Sequence, residues 1–265
     1  MNKYADYSLS FFYFVGKYFL CLCSKIGDVS IFLSQAFSRL FTKPFFTKQF
    51  TNNLIQIGFY SLPVVALTAI FTGAVLALQS YTGFSRFNAE STIPTVVVLS
   101  ITRELGPVLA GLMVAGRVSS AIAAEIGTMR VTEQIDALKT LSTDPIRYLV
   151  TPKILAAMIS MPLLVIIADI IGVMGGYLVS VYNLGFNSTS YLANTFEYLE
   201  YKDVLSGLYK SVVFGMIIGL MGCYHGYNSG QGAQGVGKAT TYAVVSASIL
   251  ILLSNYILTE LLFSK

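Results

Sequence analysis

The sequence predicts an all-α membrane protein: an N-terminal interfacial helix, or two, followed by five transmembrane helices, N-terminus inside and C-terminus outside. Three observations carry that prediction. Of 265 residues, 55% are hydrophobic and only 11% charged, whereas soluble domains carry about 25% charged residues. Mean hydropathy is +0.69. Apolar stretches long enough to cross a hydrocarbon core, which takes about 20 residues of helix, recur along the chain, and the basic residues gather in the loops on one side.

The elements follow in order. Residues 1–53 read as an amphipathic interfacial segment and 54–265 as the membrane body. Tyr7–Ser24 is apolar with Lys17 in its middle, and Leu20-Cys21-Leu22-Cys23 makes a poor signal-peptide cleavage site. From Leu9 to Phe46, aromatic residues recur among Lys17, Lys25, Arg39 and Lys43. That mixture suits a helix at the headgroup level; a sixth span is the competing reading. Five spans follow, at about 57–79, 94–124, 154–181, 205–224 and 239–262. The alternating loops then divide the charge. Residues 1–53, 125–153 and 225–240 hold eleven Lys/Arg, against Arg86, Lys202 and Lys265 on the other side. Positive loops face the cytoplasm, so the 125–153 loop is cytoplasmic.

Composition also excludes classes of function. No Lys/Arg cluster is interleaved with aromatics in the manner of a nucleic-acid surface. Cys21, Cys23 and Cys223 are odd in number and lack metal spacing with the single His225, so neither a disulfide framework nor a zinc site is expected. Gly230-Gln-Gly-Ala-Gln-Gly235 satisfies G-x-G-x-x-G, and Gly232–Ala239 nearly satisfies a P-loop. The latter has Ala239 where Mg²⁺ needs Ser or Thr, and both need a preceding strand, which span 4 does not supply. The chain itself is expected to bind no ATP and no cofactor.

The stretch from Arg103 to Asp144 is the most informative. It begins Gly- and Ala-rich and ends charged. Val131, Ile135 and Leu138 fall at i, i+4 and i+7, with Glu133, Asp136 and Lys139 on the other face, predicting one amphipathic helix. Asp144 can cap the next helix with Pro145 at its first position. The short helix either packs on the bundle or offers a handle to a soluble motor; spacing leaves both open.

Charges at membrane depth are expensive and mark cavities or partners. Arg103 and Glu104 lie about 15 Å into span 2 and Asp169 about 24 Å from the inner end of span 3, by helix rise. Lys210 and Glu260 lie near the outer ends of spans 4 and 5. Arg103 and Glu104 are adjacent, so they point in different directions and need separate partners. Arg and Lys suit a phosphate; structural ion pairing is the plainer reading. Arg117 and Glu125, near the inner end of span 2, read as headgroup-level or loop-holding residues. Gly215, Gly219, Gly222 and Gly226 on span 4, and Gly172 and Gly176 on span 3, allow close helix approach, within one subunit or across a dimer.

ELGPVLAGLMVAGRVSSAIAAEIGTMRVTEQIDAL, followed by DPIRYLVTPKILA, resembles the signature of the MlaE/YrbE permeases. These are membrane subunits of ATP-driven phospholipid transporters associated with Mce-domain proteins. The likeness extends to Asn53–Gln79, Leu155–Gly176, Lys210–Phe214 and Tyr224–Thr241. It implies a homodimer with an interfacial helix and five spans. It implies three further partners: an ABC ATPase carrying ATP and Mg²⁺, an MlaD-like Mce-domain protein, and phospholipid. It implies ATPase coupling through Thr128, Met129, Arg130, Val131, Thr132, Glu133, Gln134, Ile135, Asp136 and Leu138, within Thr128–Leu141. It places Arg103, Glu104 and Lys210 on the lipid pathway, with Asp169, Asn255 and Glu260 as further candidates. Asn255 stands where some members carry Asp. The implied location is a bacterial inner membrane, or a plastid inner envelope. The rivals are an ion-coupled secondary transporter using Glu104 and Asp169, an intramembrane enzyme, for which no nucleophile–base pair or metal set is visible, and a membrane scaffold.

Overall fold

The structure, a computed structural model, describes residues 3–40 and 46–263. Lys43 and Lys265, counted in the charge argument, lie outside the described residues. The chain forms two units, 1–44 and 45–265. Among the described residues, the first contains one helix, α1 (Lys3–Leu40), of 38 residues. The second contains five helices long and apolar enough to cross a membrane, and α1 is not among these. The described residues are helical or irregular, with no strand.

Helix α2 (Thr47–Ile57) ends at Gly58 and leads through a 3₁₀ turn into α3 (Leu62–Phe84), the first span, with Pro63 in its first turn. Span 2 runs from α4 (Ile93–Ser100) through α5 (Gly106–Val114) to α6 (Ser120–Val131). It is interrupted by π-helical turns at Ile101–Leu105 and Ala115–Ser119. It therefore continues beyond the expected end at 124. A short α7 (Gln134–Thr140) follows. Asp144 caps the next helix as expected: its Oδ1 accepts from the Ile146 amide at 3.1 Å. A third π-turn, Ile146–Val150, opens α8 (Thr151–Tyr182), the third span. Next comes α9 (Ser188–Glu197), in a stretch for which the spacing predicts no element. Asn187 caps it, its side chain accepting from the Thr189 and Ser190 amides. Span 4 is α10 (Tyr201–Tyr227), opened by a reciprocal Glu200–Asp203 capping box. Span 5 is α11 (Gly232–Phe263). Both nucleotide-motif mimics fall in the turn after α10 and the first turns of α11.

Spans 3 and 4 form the centre and are the most enclosed; spans 1 and 5 lie at the flanks. Small residues make that centre possible. A Cβ on Gly215 would stand 2.5 Å from the Ala157 carbonyl, on Gly219 2.9 Å from Ile154 Cα, and on Gly222 3.0 Å from Ile122 Cβ. The span 4 stripe is thus spent on packing against spans 3 and 2 of the same chain.

Candidate functional site

The first π-turn of span 2 carries Arg103 and Glu104 side by side, and the two find different partners. Lys210 on α10, fully buried, donates to Glu104 Oε1 at 2.6 Å. Its ammonium also donates to Thr259 Oγ1 at 2.8 Å and to the Arg103 carbonyl at 2.9 Å. The last contact has a covalent origin. Pro107 has no N–H, so it cannot satisfy the carbonyl four residues back, and the lysine supplies a donor there. Asn255 Nδ2 donates to Glu104 Oε2 at 2.9 Å, and the Thr259 hydroxyl lies 2.9 Å from Oε1. Glu104 thereby joins spans 2, 4 and 5.

Arg103 turns instead to Asp203, donating to Oδ1 from Nε and Nη2, each at 2.7 Å. Its guanidinium also lies over the Phe263 ring, 5.0 Å from the centroid. The inner members of the two pairs, Lys210 and Asp203, are 0% and 1% exposed, whereas Arg103 and Glu104 keep 37% and 36% of their side chains open. The cluster is neutral in sum, and what it offers outward is one guanidinium and one carboxylate. Arg103 Nη1 keeps donors for a further acceptor.

Asp169 is brought to neither pair. It is buried on α8, and its Oδ1 has no hydrogen-bond partner among the described residues. That oxygen lies where a side chain on Gly106 would begin. Glu260 is exposed, beside Thr259 in sequence. Asp203 and Thr259 escaped the sequence reading. Two signals pointed to them: the Glu200-x-x-Asp203 capping spacing, and the i, i+4 spacing that puts Thr259 on the face of Asn255.

The far end of span 2 from this cluster is clamped. Arg117, in the second π-turn, donates to the Gln56 carbonyl at 3.1 Å and to Ser61 Oγ at 2.8 Å. A cation at the last carbonyls of α2 is favourably placed. Lys153, buried at the start of span 3, donates to Glu125 Oε2 at 2.6 Å and to Asn53 Oδ1 at 3.3 Å. Arg117 and Glu125 thus hold α2 and spans 2 and 3 together.

The expected amphipathic helix takes a different form. Thr128–Val131 is the last turn of α6, Thr132 and Glu133 form a break, and only Gln134–Thr140 makes a separate helix. Val131 and Thr132 are both β-branched and resist helix continuation. Glu133 closes the turn in the left-handed region at φ 58°, and Ser142 at φ 58° ends the segment. Of the predicted stripe, Ile135 is fully buried, Leu138 half-buried and Val131 exposed. On the outer face, Asp136 accepts from Lys139 at 2.9 Å and lies 3.4 Å from Arg130. The Lys139 hydrogen bond holds the Asp136 carboxyl below its ordinary range, and the same bond raises Lys139.

The model of the family described as Permease MlaE matches residues 50–261. A probable ABC transporter permease protein of Rickettsia bellii (strain RML369-C) is 66% identical over 249 residues, covering 94% of this chain and 96% of that relative. A probable ABC transporter permease protein of Synechocystis is 41% identical over 245 residues, covering 87% and 93%. The intermembrane phospholipid transport system permease protein MlaE of Haemophilus influenzae is 36% identical over 253 residues, covering 94% and 96%. With its five membrane-spanning helices and these likenesses along its body, the chain belongs to the MlaE permease family and is a multi-pass membrane permease of the ABC-transporter type.

Proposed function

We propose that this chain is the membrane subunit of a phospholipid transporter, working as two copies and driven by a separate ATPase. In this reading the interfacial helix and the five-span body sit in an inner membrane, and an Mce-domain protein is the partner on the far side. The observation that carries it is the cluster of Arg103, Glu104, Lys210, Asn255 and Thr259. It joins spans 2, 4 and 5 in the outer half, yet leaves Arg103 and Glu104 partly open. A phosphate fits Arg103 through its remaining donors, and the apolar faces of the spans take acyl chains. Glu260 marks the outer rim. The H. influenzae relative, named for intermembrane phospholipid transport, supports the cargo class.

Power arrives at the opposite end. The α6 terminus, the Glu133 turn and α7 project a charged face while Ile135 anchors the helix in the body. A nucleotide-driven partner pressing on that face moves α6, and α6 leads straight through the π-turns to Glu104. The chain contributes no covalent chemistry; ATP and Mg²⁺ belong to the partner. The secondary-transporter reading needs Glu104 and Asp169 on one proton path. Glu104 is tied to Lys210, while Asp169 lies apart against Gly106, which favours the permease.

The test is ATP-dependent phospholipid transfer between liposomes by the chain reconstituted with its ATPase. Lys210→Met and Glu104→Gln are each expected to lower the rate more than tenfold with the complex still assembled. Undiminished transfer in both would refute the assignment of the pathway.

A further inference from the structure

A charged recess lies at the end of span 2 far from the Glu104–Lys210 cluster. Its volume is about 340 Å³, and its polar lining is Asn53 and Gln56 of α2, Tyr60 of the 3₁₀ turn, Arg117 and Glu125 of span 2, and Lys153 of span 3. The Lys153 side chain, 5% exposed, is matched by Glu125, so that pair is neutral in sum. Arg117 is the surplus charge. Arg103, Lys153 and Lys210 each have a carboxylate partner, whereas among the described residues Arg117 has neutral partners alone. The Gln56 carbonyl and the Ser61 hydroxyl both accept from its Nη1, and the Tyr60 ring centroid lies 5.9 Å from the guanidinium carbon. Among the same residues, Nε and Nη2 keep their N–H donors for a further acceptor. A cation in a membrane-spanning helix calls for such a partner.

The donors select an oxyanion. A guanidinium fork binds phosphate through two parallel N–H bonds. Asn53 accepts from Lys153 through Oδ1, which leaves its Nδ2 to donate. Gln56 is exposed at the recess and meets Arg117 through its backbone carbonyl, so its side-chain amide is available too. The surroundings select the source of the phosphate. Phe59 and Tyr60 are 66% and 57% exposed and stand just ahead of Leu62, where the first span begins. Exposed aromatics at a span boundary mark the headgroup level of a bilayer. Beyond them Val64, Leu67 and Phe71 present an exposed apolar face along the same helix. The one surplus positive charge favours an anionic headgroup over a zwitterionic one, which brings a cation of its own.

We infer that this recess holds the phosphate of an anionic membrane lipid. Nε and Nη2 of Arg117 donate to it, the Asn53 and Gln56 amides add further donors, and the acyl chains follow the exposed face of span 1. The lipid is a resident of the clamp rather than cargo. It bridges α2 and span 2 where Arg117 already joins them. Such a site stands whatever the permease transports.

The chain has no tryptophan, so one can be placed as a reporter. Full-length Phe59→Trp in detergent micelles is titrated with phosphatidylglycerol brominated on its acyl chains, and separately with brominated phosphatidylcholine. Leu252→Trp, on the exposed face of span 5, serves as control. The expected result is saturable quenching at position 59, about fivefold tighter for phosphatidylglycerol than for phosphatidylcholine, against a gradual, non-saturating response in the control. Arg117→Gln in the reporter chain is expected to weaken phosphatidylglycerol binding about tenfold. Because Arg117 also bonds α2, two variants that spare the clamp keep the site testable. Gln56 joins the clamp through its backbone carbonyl, which Gln56→Glu and Gln56→Lys retain. The first is expected to weaken phosphatidylglycerol binding and the second to tighten it, each about threefold. Millimolar inorganic phosphate is expected to leave the quenching unchanged. Equal response to both lipids, or indifference to all three variants, overturns the site. Release by millimolar inorganic phosphate overturns the lipid as occupant in favour of a soluble phosphate. In the assembled transporter, loss of the saturable phase together with a photocrosslink from position 59 to a partner chain overturns it in favour of a protein carboxylate.

Discussion

At the scale of single residues, the decisive quantity is what a fully buried ammonium costs when its partner is removed. Lys210 is 0% exposed and makes three polar contacts. Deleting one member of a buried pair costs about 3–5 kcal/mol, because the other is left charged and unmatched, whereas deleting both is far milder. Glu104 is about one third exposed, so water compensates part of its loss and the value lies at the lower end. Lys210→Met and Glu104→Gln are each expected to lower the thermal midpoint of the purified chain, and the double variant to recover most of that loss. A double-mutant cycle read by melting in detergent would give a coupling of about 3 kcal/mol or more; strictly additive losses would show that the pair does not act as a unit. The sequence made part of this visible. Arg103 and Glu104 had to point apart, and Lys210 was a charge of the right sign at a fitting depth. Which cation met Glu104 was not legible, because that choice depends on the rotation of span 4 against span 2, set by the glycines of α10. Asp203 and Thr259 stayed hidden as ordinary cap and helix residues until folding closed distances of 100 and 155 positions along the chain.

At the scale of elements, the spans were legible because length and hydropathy alone define them, and their ends were not. Span 2 outran its expected boundary by seven residues because charged and small residues continue α6 past the apolar stretch. The amphipathic stripe misled more interestingly. Periodicity sees spacing but not a left-handed residue, and Glu133 divides the stripe between two helices. Its position calls for glycine, asparagine or aspartate. Glu133→Gly is therefore expected to preserve or slightly raise stability, on the order of 1 kcal/mol, while Glu133→Arg and Asp136→Arg should uncouple ATP hydrolysis from lipid transfer. Unchanged coupling in both arginine variants would remove α7 from the relay. The Asp136–Lys139 bond has its own pH dependence. Its carboxyl is held below the ordinary value of 3.8, so the contact is complete at neutral pH and fades only as pH falls through the lowered value. Coupling should consequently be flat from pH 6 to 8 as far as this pair is concerned, checked by ATPase stimulation across that range. The glycine stripe makes a steric prediction. Gly219→Leu drives a side chain into the Ile154 backbone, 2.9 Å from its Cβ. A loss of about 1–3 kcal/mol is expected from overpacking alone, seen as a lower melting midpoint and reduced yield of folded protein.

At the scale of the whole molecule, the two ends do different work. One end is clamped, with Arg117 of span 2 bonded to α2 and Lys153 bridging Glu125 and Asn53. The other end is charged but balanced, with Arg103 and Glu104 partly open. Three π-turns lie along the path between them, two within span 2 and one at the start of span 3. Such turns concentrate at functional positions in helices, and here each of the two in span 2 presents a charged side chain. A rigid bundle with local irregularities at its charges is suited to passing a displacement at α7 up span 2 to Glu104.

If this permease is the lipid-moving part of an ATP-driven assembly, as proposed, affinity purification of the tagged chain in mild detergent, followed by mass spectrometry of both proteins and lipids, recovers an ABC ATPase, an Mce-domain protein and bound phospholipid together with the chain. Recovery of the chain alone, with no ATPase and no phospholipid, would contradict it.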